Sequence, residues 1–269
     1  MRLVYLLALL PSPVFGAFTL VENFDSLAPG ALNGQNGWTA GTLWSVAAAP
    51  TGGSGNAAAG LFSTTTTAGA YKFLGAPIPN TSASATLFFR IRRDGAVNTS
   101  SGLSDDPAGA LFGAFEAQLN SQSQDNFNAR DAGVFDSLGA GSFANMTWYN
   151  VWMVVNNSAD TYQLWIDPGS FGSPGSALSH VADPNGVAGD FDFSFRNGAA
   201  ANPLNGVLFA IGSDANSNGT FYVDDIYVDT AGQNLVNPVP EPSALVLLGG
   251  GAAALGLRRR CRSQCAATA

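Results

Sequence analysis

Short runs of Val, Ile, Phe, Tyr and Trp, each closed off by Gly, Pro, Asn or Asp, recur from Thr19 to Asp229, and no stretch between them keeps a helical period. Such runs form strands, because β-branched and aromatic side chains fit a pleated sheet while the flanking residues supply turns. The runs are Thr19–Phe24, Trp44–Val46, Gly60–Phe62, Tyr71–Leu74, Ala83–Arg92, Ala110–Leu119 and Asp131–Asp136, followed by Thr147–Asn156, Thr161–Asp167, Asp190–Phe195, Val207–Ser213 and Gly219–Asp229. Many short strands without a fixed repeat or an internal linker predict one all-β domain, an antiparallel β-sandwich over residues 17–235. Alternation assigns faces: Leu87, Phe89 and Ile91 share one side of their strand, Phe88, Arg90 and Arg92 the other. Thr147 to Asp167 reads as a hairpin that turns at Asn156 to Asp160.

Both ends lie outside that domain. Arg2 precedes the apolar stretch Leu3 to Leu10, which Pro11 and Pro13 break; this reads as a signal peptide over residues 1–16, too short to span a bilayer. At the other end a proline-rich lead-in, residues 236–243, runs into the apolar segment 244–257 and then a basic tail, residues 258–269. As a helix the apolar segment would reach about 21 Å at 1.5 Å per residue, short of a hydrocarbon core about 30 Å thick. Gly249, Gly250 and Gly251 weaken it further, at about 1 kcal/mol each against alanine. Arg258, Arg259 and Arg260 mark its cytoplasmic end. Such a helix inserts transiently and is built to be removed.

The order Val239-Pro240-Glu241-Pro242-Ser243, short glycine-bearing helix, arginine cluster resembles the PEP-CTERM sorting signal. That resemblance implies signal peptidase at the N-terminus and exosortase at the C-terminus as processing partners. It also implies secretion through the inner membrane of a Gram-negative bacterium, to the cell surface or the extracellular matrix. Cys261 and Cys265 depart from the pattern only by lengthening the tail, and they leave the domain without any disulfide.

Within the domain, Trp148-Tyr149-Asn150-Val151 with Tyr162-Gln163-Leu164-Trp165-Ile166-Asp167 resembles a hairpin of concanavalin A-like and laminin-G-like jelly rolls. Glu22-Asn23-Phe24-Asp25 is similar to the opening of that superfamily, and Phe221 to Val228 to its closing strand. In the closing strand Asp224, Ile226 and Val228 fall on one face, so a core-facing Ile226 would take Asp224 inward, where a carboxylate needs a partner. The resemblance implies a structural calcium ion held by Glu22, Asp25 and Asp224; the alternative is Asp224 bonded to backbone or to Arg90. Ser213 to Gly219 offers oxygen ligands but lacks a terminal glutamate, and is read as a hairpin turn.

Charge and chemistry narrow the function. Once the signals are set aside, eighteen carboxylates face six cations, a net charge near −12 that repels nucleic acid and admits neutral or cation-bridged polysaccharide. Trp148 and Trp152 share a strand face and are candidates for stacking on sugar rings, against the alternative of core packing. Arg90, Arg92 and Arg93, the one basic cluster, read as a solvated face paired with aspartates. Glu22 and Glu116 are the domain's only glutamates, which excludes the paired-glutamate strand of retaining glycosidases, and His180 is the sole histidine. The expectation is a non-enzymatic surface or matrix domain, structural or polysaccharide-associated, with a lectin-like module as the alternative and a divergent glycosidase behind it.

Overall fold

A computed structural model describes residues 17–239, apart from 110, 123–125, 140–141, 170–178, 198–201 and 217. The signal peptide, Pro240 to Ser243, the apolar segment and Arg258 to Arg260 lie outside the described residues. Among the described residues the chain forms strands and no helix, so no helix there is long and apolar enough to cross a membrane. In chain order the strands are β1 Thr19–Glu22, β2 Gly30–Ala31, β3 Thr39–Ala40, β4 Trp44–Ala48, β5 Asn56–Leu61 and β6 Ala68–Ile78. Then come β7 Ala85–Asp94, β8 Thr99–Ser104, β9 Gln118–Gln122, β10 Asn126–Asp131 and β11 Val134–Ser137. The last are β12 Trp148–Asn156, β13 Thr161–Pro168, β14 Ser179–His180, β15 Phe193–Ser194, β16 Leu204–Ile211 and β17 Thr220–Asp229.

These strands make two sheets. The ten-stranded sheet runs β14-β13-β12-β7-β17-β5-β4-β2, with β1 also on β17 and β15 on β13; the seven-stranded sheet runs β11-β10-β9-β8-β16-β6-β3. All pairing is antiparallel. The chain crosses between the sheets repeatedly, on either side of β3, β6 and β16 and at β7–β8 and β11–β12, which is how a jelly roll buries both inner faces at once. The core is the sum of the alternating inward residues: Leu87, Phe89 and Ile91 of β7, Val151 and Met153 of β12, Val207 and Phe209 of β16. Phe89 meets Phe209 edge-on at 5.8 Å, and Phe127 stacks on Phe143 at 4.3 Å.

Side-chain bonds tie the sheets together, among them those of a tyrosine beneath the smaller one. The buried Tyr162 of β13 holds its hydroxyl 2.8 Å from Gln118 O and 2.6 Å from Arg130 O, on β9 and β10. Burial pushes this phenol well above its ordinary pKa, so the proton that makes the bond is retained.

Several strands differ from the sequence reading, each for a physical reason. The β12–β13 hairpin stands as expected, in register from Tyr149↔Pro168 to Asn156↔Thr161. Thr99–Ser104 is a central strand although it has no apolar run; its small side chains let the neighbouring strands' longer ones lie across it. The segment before Gln118 is turn rather than strand, and Asp131–Asp136 is broken by a tight turn at Ala132, whose φ is +44°. Ser213 to Gly219 is not a hairpin turn, because it joins β16 in one sheet to β17 in the other. Asp190–Phe195 keeps only Phe193–Ser194 as strand.

Candidate functional site

The residues expected to be functional gather on the outward face of the larger sheet, and that face is closed. On β12, Tyr149, Val151, Met153 and Val155 point into the core, so Trp148 and Trp152 point out. Neither reaches solvent, at 3% and 2% exposure. Trp152 packs edge-on against Phe88 at 5.0 Å, in a cluster with Trp165, Leu235 and Val239, and donates its indole N–H to Val236 O at 3.1 Å. The cover is the chain's own run after β17, fixed where Thr86 Oγ1 donates to Gly232 O and accepts from Asn234 N. Trp148 lies under the turn at Gly52 and Gly53; a Cβ on Gly53 would sit 3.0 Å from the indole, so the ring and the turn fit only with glycine there. The expected sugar-stacking pair is therefore corrected to an outer aromatic layer sealed by loop and strap.

The arginine cluster is corrected as well. Arg90, Arg92 and Arg93 are buried rather than solvated. Arg90 pairs with Asp225 at 3.0 Å, donates to Gly52 O at 3.0 Å and lies over the Trp148 ring at 4.9 Å. Arg92 pairs with Asp94 at 2.8 Å and bonds Thr51 O, while Arg93 bonds Phe143 O and covers that residue's ring.

The closing strand departs from strict alternation. Register shifts between Asp224 and Tyr227, and Asp225 takes a left-handed φ of +51°. This β-bulge resets the parity, so Val223 and Ile226 both enter the core while Asp224 lies across from Arg90. Asp224 thus escapes the core position the alternation gave it. Burial, and then the charge of Asp225, still hold its carboxyl well above the ordinary range. Burial raises Asp225 too, opposed by Arg90. Tyr227 is pushed up to about 12 by burial and by the charges of Asp225, Asp224 and Asp25.

Of the calcium set, Asp25 lies near enough to Asp224 for its charge to act on that carboxyl, but Glu22 is engaged elsewhere. Glu22 spends its carboxylate on Lys72 at 3.0 Å, Asn36 at 2.8 Å and the Trp38 indole at 3.1 Å, besides the backbone N–H groups of Asn23 and Phe24. Burial raises its pKa, but those bonds outweigh burial and leave it below the ordinary value. Asp25 accepts from Asn56 N at 3.0 Å instead. With Glu22 neutralised by a lysine, the three residues do not fit a shared calcium ion.

The smaller sheet turns a different face outward. Along β9 and the residues before it, Ala117 and Leu119 enter the core, so Glu116, Gln118 and Asn120 point the other way. In register beside Asn120 stand Ser100 of β8 and Asn128 of β10. Gln118 Nε2 and Asn120 Nδ2 both donate to Ser100 Oγ, at 2.8 and 3.0 Å. Asn120 Oδ1 has no partner. Arg196, partly exposed, donates to Gln118 Oε1 at 3.2 Å. Arg130, also partly exposed, covers the Phe135 ring at 4.5 Å; burial and the charge of Arg196 pull its pKa down. Glu116 is latched by Asn197 Nδ2 at 2.8 Å, and burial, aided by the charges of Asp105 and Asp160, outweighs that bond and raises its pKa.

The result is a floor of amides and a hydroxyl with two guanidinium groups on its rim. Such groups bind sugar hydroxyls and carboxylates. The sequence reading missed this row; its signal was the alternation Glu116-Ala117-Gln118-Leu119-Asn120, polar on every second residue.

Comparison with known proteins agrees with both parts of the chain. The PEP-CTERM protein-sorting motif family matches residues 238–260. No curated protein sequence matches the chain. Among solved structures a sialidase superposes with a TM-score of 0.53 at 11% identity over 80% of this chain and 18% of that one. The catalytic domain of a glycoside hydrolase family 131 protein from Coprinopsis cinerea gives 0.53 at 12% identity, over 85% of this chain and all of its own. Lectin II from Ulex europaeus gives 0.44 at 13% identity over 74% of this chain and 95% of that one. At such identities the first two establish the fold and nothing beyond it. The chain carries a PEP-CTERM sorting motif, which marks it for export and surface sorting, behind a jelly-roll β-sandwich.

Proposed function

We propose that this is a non-enzymatic exported domain, processed by exosortase and associated with extracellular polysaccharide through the outward face of its smaller sheet. The observation that carries the reading is the pair of part-exposed guanidinium groups, Arg130 and Arg196, held at the edge of the buried polar row Asn128–Asn120–Ser100 with Gln118. Its buried amides brace that edge, and its guanidinium groups offer forks to uronic or other acidic residues. The strongly negative remainder of the domain limits anionic polymer to that rim or to cation bridges. Non-enzymatic behaviour is supported by Glu116, the one carboxylate on the row, which is spent on Asn197 beside amides rather than a second acid.

The test is cosedimentation of the processed protein with polysaccharide from the producing cells. Binding weakened by Arg130→Ala or Arg196→Ala fits the reading; binding untouched by both contradicts it. A lectin with one defined sugar site is the second reading, favoured by the placing of Arg130 and Arg196 together at one edge of the row. Selective binding on a glycan array would favour that reading, and release of reducing sugar abolished by Glu116→Gln would replace both with hydrolysis.

A further inference from the structure

We propose that Asp131, Asp136 and Asp183 form a site for one calcium ion, which ties the β10–β11 hairpin to the loop after β14. Asp131 ends β10, Asp136 lies within β11, and Asp183 opens the loop. Their nearest carboxylate oxygens all lie within 4.8 Å of one another. Calcium–oxygen bonds of 2.3 to 2.6 Å span about 4.6 to 5.2 Å from ligand to ligand across the ion, so one ion reaches all three.

A second observation points to a ligand. Asp136 is only 2% exposed, and its Oδ2 has no hydrogen-bond partner. A buried carboxylate oxygen without a donor, facing two further carboxylates, lacks the positive charge it needs. The protein does not supply that charge. Among the described residues the ion pairs are Lys72–Glu22, Arg90–Asp225 and Arg92–Asp94, all elsewhere. Arg130, next along the chain, points its Nε at Ala132 O and its plane at Phe135.

Further oxygens are at hand. Asn185 bonds Asp136 Oδ1 through its amide, and reversing that amide presents Oδ1 without moving the side chain. A Cβ on Gly186 would lie 2.7 Å from Asp183 Oδ2 and 3.0 Å from Asp190 Oδ2, so Asp190 stands beside the group and only a glycine fits between them. An all-oxygen set without Cys or His selects a hard cation, and its irregular spacing suits calcium better than the strict octahedron of magnesium. The same loop supplies Val181 and Pro184 to a cavity of about 510 Å³ also lined by Phe127, Leu138, Tyr149 and His180, so the ion would set that cavity's rim.

Calorimetric titration of the full chain with calcium chloride, against magnesium chloride and with EGTA as chelator, tests the site. One calcium per chain is expected, with a higher melting midpoint than in chelator. Affinity should fall at least about tenfold in Asp136→Asn and in Asp183→Asn. Asp94→Asn, a carboxylate paired elsewhere, should bind as the wild type does. Should Asp136→Asn fail to fold, Asp183→Asn, on a loop whose neighbours are exposed, carries the test alone. No heat of binding in the wild type, or unchanged binding in Asp183→Asn, would overturn the proposal. The site does not depend on polysaccharide binding, so either can fail without the other.

Discussion

On the larger sheet the outward Trp148, Trp152 and Arg90 are roofed by the Gly52 turn and by the strap that ends at Val239. On the smaller sheet the outward Gln118 and Asn120 both donate to Ser100, Asn128 stands in register beside Asn120, and part-exposed Arg130 and Arg196 stand at their edge. Aromatic and cationic residues on a sheet face look like a sugar site in sequence. Here they bind the protein's own remote segments. The modest amides are buried too, and it is the two arginines at their edge that keep guanidinium surface toward solvent. What separates the faces is the cover, and cover is supplied by chain many residues away.

The comparison can be broken most forcefully on the sealed face. Trp152→Ala leaves a large cavity and Arg90→Met leaves Asp225 buried without its cation; each should cost about 3–5 kcal/mol in urea unfolding. Losses below about 1 kcal/mol would mean that the cover is not part of the stable fold. Next comes Glu22→Gln, which should cost about 2 kcal/mol at neutral pH because Lys72 loses its charged partner and Asn36 and Trp38 lose an anionic acceptor. Glu22 is held below its ordinary pKa, so its contribution is present above the usual carboxylate range and fades as pH falls through the lowered value. The Gln variant should lack that acid-side decline.

Asp224 has the opposite sign. Its raised pKa means that its contribution is present below the ordinary carboxylate range and is lost as pH rises through the folded value. Asp224→Asn should therefore narrow the difference in stability between mildly acid and neutral pH; a difference as wide as in the wild type would contradict the buried placement. Smallest in stability is Arg196→Ala, within about 0.5 kcal/mol, because that side chain is partly exposed and bonds only Gln118 Oε1. Its effect belongs to polysaccharide binding instead.

Much of this architecture is legible in the chain. The hairpin at Asn156 to Asp160 and the two-sheet sandwich follow from alternation and turn residues, and the tail's three-part order agrees with the matched sorting motif. What escaped is what alternation cannot encode. The bulge at Asp224 and Asp225 shifts parity by one residue and reverses the face of a carboxylate. Thr99–Ser104 carries no apolar signal, because its neighbours Phe209 and Leu119 fill the core on its behalf. Trp152 was visible as outward-facing, but its partner Val236 is 84 residues away, and no local pattern announces such a pairing.

The polar face is tested most directly by retention of the processed protein on polysaccharide from its producing cells, comparing wild type with the Arg130→Ala, Arg196→Ala double variant. Each guanidinium bond to a charged or hydroxyl group contributes about 1.5–3 kcal/mol, so retention should drop at least about tenfold. The melting midpoint should stay close to that of the wild type. Retention that survives the double variant but disappears with the strap over Trp152 would place the binding surface on the other sheet.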